Sequence, residues 1–107
     1  MTKLKVYNDT NTPDTTGSGL IGYIKEVNYS QLYDLLGEPT FPYTSGDEKV
    51  QKEWVVKFKG NVYTIYDWKT YDEDYTINHL THWHVGGKNN ADEFITYIKN
   101  LTQKEMC

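Results

Sequence analysis

The chain contains no arginine, one cysteine, three prolines and no long apolar run. Each shortage excludes something. Eleven lysines stand against fifteen acidic residues, for a net charge of −4, and no basic cluster is present. Phosphate-backbone binding draws its affinity from clustered Lys and Arg, so nucleic acid is not an expected partner. The lone Cys107 is the last residue, so no internal disulfide can form, which agrees with a reducing compartment. No stretch approaches the roughly eighteen apolar residues of a membrane span, and no N-terminal block resembles a signal peptide. The expectation is a soluble intracellular protein without a membrane partner, in which the sequons at Asn8, Asn28 and Asn100 have no role. No Ser, Thr or Cys nucleophile stands in a recognisable setting and the carboxylates show no pairing by spacing. No catalytic residue and no cofactor is assigned, and a non-enzymatic protein is expected.

Aromatics are plentiful, at 15% of residues with ten tyrosines. They concentrate in Lys52 to Lys69, KEWVVKFKGNVYTIYDWK, which reads as two strands joined by a tight turn. Trp54, Val56 and Phe58 alternate with Val55, Lys57 and Lys59, so one face is apolar and the other mostly charged. Lys59-Gly60-Asn61 supplies residues that tolerate positive φ. In the second arm Val62, Thr64, Tyr66 and Trp68 share one face, and Tyr63, Ile65 and Asp67 the other. A strand apolar on both faces belongs in the middle of a sheet.

Around this hairpin, Lys3 to Tyr7 alternates like a short edge strand, and Asn8 to Gly19 reads as a surface loop or mobile arm. Residues 1–19 are therefore set apart from a single domain over residues 20–107. Leu20 to Val27 is a strand in which Gly22 suggests a bulge or close backbone contact. A helix opens at Asn28, with Gln31 completing a capping box, and ends at Gly37 in the left-handed conformation. Thr40 to Gln51 and Thr70 to Asn78 read as loops, the acidic run Asp72-Glu73-Asp74 as a solvated stretch, and His79 to Val85 as a strand closed by Gly86-Gly87. A last helix opens at Asn90 as N-cap with Glu93 at the third position. The order strand, helix, three strands, helix predicts an α+β fold, an antiparallel sheet with both helices on one face.

GYI, a helix ending in LLGEP, then KEW-V-KF-G-VYTIYDWK and WHVGGK before a terminal helix, together resemble a family of small proteins. Its members are encoded by tailed bacteriophages and large DNA viruses and carry T-I-Y-[DN]-W-K and W-H-[IV]-G-G at similar spacing. The likeness runs from about Leu20 to Leu101. It implies a viral origin, but no activity shared by the family. Family members often have Asp-Gly at the hairpin turn where this chain has Gly60-Asn61. The residue at His82 varies among them, while Trp83, His84, Gly86 and Gly87 recur.

Three groups of residues suggest chemistry. His82 and His84 sit two positions apart on one strand face, with His79 and Asp67 as further candidates, so a divalent ion is conceivable, although only the pair is secured by spacing. Structural or solvated histidines are the more ordinary reading. Gly86-Gly87-Lys88 before a helix offers backbone amides to a phosphate. Against this, Asp92 and Glu93 occupy the first turn and repel an anion, and a turn needing two glycines for backbone geometry is the favoured reading of the pair. Tyr63, Tyr66, Trp68, Tyr71, Tyr75 and Trp83 exceed the needs of a small core and suit a binding surface, while tyrosines that border the core with their hydroxyls in water are a reading of comparable weight.

The leading expectation is a small virus-encoded binding protein that acts on a host or defence component through an aromatic surface, with a host or viral protein as partner, in the host cell cytoplasm. A nucleotide-sequestering protein, with the base on Trp68 or Trp83 and phosphates at Gly86-Gly87-Lys88, is the alternative. A His82/His84 metal enzyme and a virion structural protein are the remaining readings.

Overall fold

In the computed structural model, which describes residues 4–7, 19–41, 50–68, 73–88 and 90–104, eight elements follow one another. They are β1 (Leu4–Val6), β2 (Gly19–Lys25), α1 (Tyr29–Leu36), β3 (Glu53–Phe58), β4 (Asn61–Tyr66), α2 (Glu73–Asn78), β5 (His82–Gly87) and α3 (Asp92–Lys104). The strands form one antiparallel sheet in the order β1-β3-β4-β5-β2. This is an α+β fold, and β4, apolar on both faces in sequence, is the central strand.

The β3–β4 turn holds Lys59 at φ 51 and Gly60 at φ 85, the two positive values that a two-residue hairpin turn needs to match the strand twist. The register places Trp54 opposite Ile65 and Val56 opposite Tyr63, and carries the same face on through Val85, Trp83 and Ile24. All of these side chains are buried in one cluster with Leu32 and Leu36 of α1 and Phe94 and Ile98 of α3. Both long helices therefore cover one face. Phe94 stacks on Tyr63 with ring centroids 4.5 Å apart and planes 7° from parallel, which seats α3 over the middle of the sheet.

Gly22 is both bulge and contact. The β2–β5 register shifts between Leu20 and Gly22, and a Cβ at Gly22 would lie 2.6 Å from Ile95 Cδ1, so α3 rests on that backbone. The α1 capping box is present in both directions, Asn28 N–H to Gln31 and Gln31 N–H to Asn28, each 2.9 Å. Leu4–Val6 pairs with β3, so this part of the N-terminal segment belongs to the sheet.

Five expectations need correction. The stretch from Thr70 to Asn78 is not all loop, because Glu73–Asn78 is helical: Thr76 is buried with its hydroxyl on Asp67, Leu80 is buried, and α2 packs on α1. Docking there overrides a polar composition, and an acidic start suits a helix N-terminus. The last strand is His82–Gly87 instead of His79–Val85, since His79 and Leu80 donate their N–H groups to Tyr75 O at the end of α2. Gly37 ends α1 at φ 82 and ψ −160, a positive φ with extended ψ, outside the left-handed helical region. Asn90 Oδ1 accepts from Asp92 N at 2.7 Å, but Glu93 forms an ion pair with Lys59 of the hairpin turn and completes no capping box. Finally, Gly86 and Gly87 lie within β5, neither at positive φ. A Cβ at Gly86 would meet Thr64 Oγ1 at 2.6 Å, and one at Gly87 would meet Ile21 Cδ1 at 2.9 Å, so side-chain crowding on the two faces, and not turn geometry, calls for glycine.

Candidate functional site

Alternation sends every second strand residue to the face that no helix among the described residues covers. Across that face the register aligns Glu53, Tyr66, His84 and Tyr23, one from each of β3, β4, β5 and β2. Directly paired residues put their side chains side by side, so this row is a continuous surface. His84 is its hub. Its ring centroid lies 5.1 Å from Tyr23, 5.6 Å from Tyr66, 5.8 Å from His82 and 6.5 Å from Trp68. Tyr23 also meets His82 edge-on at 4.8 Å, and Tyr66 meets Trp68 edge-on at 6.2 Å. Tyr23 and Trp68 are each 41% exposed, a large accessible area for aromatic rings outside the core. The row beside them is close-packed, with Val55, Thr64 and Gly86 all buried.

The electrostatics of the row are not those of a solvated surface. Burial, and then the charge of Asp67, push the Glu53 carboxyl up to about 7. Burial, the Glu53 charge and Tyr23 raise the Tyr66 phenol. Burial and then His82 hold the His84 imidazole below its ordinary value, against a smaller opposing pull from Asp67. Both effects favour the neutral imidazole, and among the described residues its Nδ1 is shielded from water without a hydrogen-bond partner. Asp67 lies fully buried at the end of β4, accepting from Gln51 N at 2.7 Å, Lys52 N at 2.9 Å and Thr76 Oγ1 at 2.9 Å.

Of the candidates read from sequence, Tyr66, Trp68, His82 and His84 come together here. Trp83 does not: it is fully buried on the opposite face, its indole N–H on Val27 O at 2.8 Å, and cannot stack on a ligand. Tyr75 is exposed but sits on α2 beside His79, on the side of the sheet that carries the helices. Tyr71 lies outside the described residues. Gly86 and Gly87 face opposite sides of the sheet and form no loop of converging amides, and Lys88 is exposed just beyond them. The metal reading fares no better. Among the described residues no group of three His, Cys, Asp or Glu side chains could hold an ion, because Asp67 is committed to backbone amides and His79 stands at α2.

Tyr23 and Glu53 are site residues that sequence reasoning missed. A local signal existed for both, since Tyr23 precedes inward-facing Ile24 and Glu53 precedes inward-facing Trp54. What strand parity alone does not tell is that β2 pairs with β5, which brings Tyr23 beside the two histidines. A comparison of the chain with protein-family models, curated proteins and solved structures finds no match in any of the three.

Proposed function

We propose that this protein is a non-enzymatic binding module that engages a partner protein through the helix-free sheet face, with Tyr23, Trp68 and Tyr66 around His84 as the contact. The observation that supports this most is the separation of two aromatic populations. Trp54, Trp83 and Phe94 fill the core, whereas Tyr23 and Trp68 gather around His84 on the other face and leave much of their ring area in solvent; Tyr33 and Tyr75 are as exposed but sit on α1 and α2. Exposed Tyr and Trp side chains lose little entropy on binding and dominate interface hot spots. The family resemblance of the two tryptophan motifs adds a viral origin to the proposal, with a host or defence protein as the target in the host cell cytoplasm. The nucleotide alternative keeps an aromatic platform at Trp68 but loses its phosphate cradle, since the two glycines are consumed by strand packing. Capture of a natural partner from infected-cell extract tests the reading. The pair Tyr23→Ala and Trp68→Ala abolishes capture while leaving the melting temperature within about 2 °C of the parent, as surface substitutions do. Undiminished capture refutes the assignment of this face.

A further inference from the structure

The proposed binding face holds features that converge on one kind of ligand. Glu53 brings a carboxylate to one end of the aromatic row, and buried Asp67 reinforces its negative field. Tyr66 and Trp68 bring ring faces, whose electron-rich surfaces attract cations. His84 brings an imidazole nitrogen with no partner among the described residues, an acceptor in the tautomer that carries its proton on Nε2. Anions meet repulsion at the same place. Among the described lysines, Lys25 stands opposite His82 on the far rim, Lys57 stands opposite Lys5 on rows beyond Val55, Lys88 follows the end of β5, and Lys52, beside Glu53 in sequence, is buried. At roughly 4.8 Å per strand spacing, the Lys25 strand is about 14 Å from the Glu53 strand, so the Glu53 end of the row is left acidic.

Resting on the binding reading above, we propose that this face receives an arginine side chain of a partner protein. Its guanidinium lies against Tyr66 and Trp68 and donates to Glu53 and His84 Nδ1. A guanidinium suits the arrangement better than an ammonium because it is flat, weakly hydrated and donates in several fixed directions while its face stacks on a ring. The partner is not a second copy of this chain, which has no arginine. His84 Nδ1 is shielded from water, so admitting the donor displaces neighbouring groups, and because the Trp68 ring lies 6.5 Å from that of His84 the change alters the emission of this exposed tryptophan.

The site is protonation-linked. Tyr66 stands beside Glu53 on β4, the Asp67 charge acts on it, His84 on β5 is the next member of the row, and Phe41, its bridge partner on the other side, carries no charge. Acidification discharges Glu53 and favours the charged form of His84, and both changes disfavour a cation. Binding is therefore strongest above about pH 7 and weakens by about tenfold between pH 8 and pH 6, one proton's worth of linkage.

The test is a titration of the full chain with N-acetyl-Gly-Arg-Gly-amide, followed by tryptophan emission and by the NMR signals of the His84 ring. The expected result is saturable binding with that pH dependence, at least several-fold weaker for the lysine peptide and absent for the glutamate peptide. Glu53→Gln weakens arginine binding by about tenfold and removes its dependence on pH above 6.5. Trp68→Ala, at an exposed position, weakens it without loss of fold. Equal binding of the glutamate peptide, or arginine binding indifferent to Glu53→Gln and pH, overturns the inference. Loss of partner capture in the Tyr23 and Trp68 variants with no arginine-peptide binding leaves the face as the contact and removes only the arginine chemistry. Failure of both removes both.

Discussion

Trp54 and Trp83 stand on strands separated by β4, yet their rings meet edge to face at 5.6 Å between centroids, with planes 72° apart. Their indole N–H groups then diverge to opposite ends of α1. Trp54 donates to Gly37 O at 2.9 Å just past its C-terminus, and Trp83 to Val27 O at 2.8 Å just before its cap. The pair thus joins sheet and helix at both helix ends, combining apolar burial with two satisfied donors.

Removing either indole costs both terms. Trp54→Ala and Trp83→Ala each destabilise by about 3–5 kcal/mol, the range for truncating a buried large aromatic. Trp54→Phe keeps most of the ring volume but leaves Gly37 O without its donor, and costs about 1–3 kcal/mol. Urea unfolding of the three variants checks the order. A Trp54→Phe variant as unstable as Trp54→Ala would show that the hydrogen bond, and not the volume, carries the effect.

Stability depends on pH through Glu53. Its folded value of about 7 lies above the ordinary 4.5, so the folded chain holds this proton more tightly. The contribution is complete below about 4.5 and is lost as the pH rises through 7, worth roughly 1–3 kcal/mol. His84 acts in the opposite sense, because its lowered value makes the folded state lose stability as the pH falls below 6.5. Subtracting the profile of Glu53→Gln from that of the parent isolates the first effect. Parallel profiles between pH 4.5 and 7 would show that Glu53 titrates normally.

Asp67 has a structural and an electrostatic role that two substitutions separate. Asp67→Ala removes the carboxylate acceptor of the Gln51 and Lys52 amides and the Thr76 hydroxyl, and lowers stability by about 2–5 kcal/mol. Asp67→Asn retains an acceptor but removes the charge, so the Glu53 carboxyl moves down toward its ordinary value. A carbon-detected NMR titration of Glu53 reads this directly, and an unmoved Glu53 would assign the whole shift to burial.

Gly86→Ala forces a methyl group to within 2.6 Å of Thr64 Oγ1 and costs about 1–3 kcal/mol by overpacking. Thr64→Ala in the same chain vacates that space and recovers part of the loss. Thermal melts of the single and double variants measure the coupling, and simple additivity would mean the crowding lies elsewhere.

Local patterns made much of the fold legible. The alternation of Trp54, Val56 and Phe58 identified β3 and its buried face, the two-sided apolarity of Val62 to Tyr66 identified the central strand, and Asn28 with Gln31 marked a helix start to the residue. What escaped was non-local. Nothing near Thr76 in sequence announces that its hydroxyl meets Asp67, so α2 read as loop. Nothing near Tyr23 announces that β2 crosses to pair with β5. The candidate site suffered most, since it is assembled from four strands: Tyr66, Trp68, His82 and His84 were visible as residue types, while Tyr23 and Glu53 join them only through register. Trp83 misled for the converse reason, because a recurring aromatic is as readily core as surface.

The strand order also governs how this chain behaves in a crowded solution. Its rims are β1, of three residues, and β2, where the shift between Leu20 and Gly22 breaks the regular ladder and charged Lys25 closes the strand. Unpaired edges template sheet growth between molecules, and short, bulged or lysine-bearing edges resist it. The exposed rings of Tyr23 and Trp68 lie on a sheet face, at right angles to the direction in which strands add.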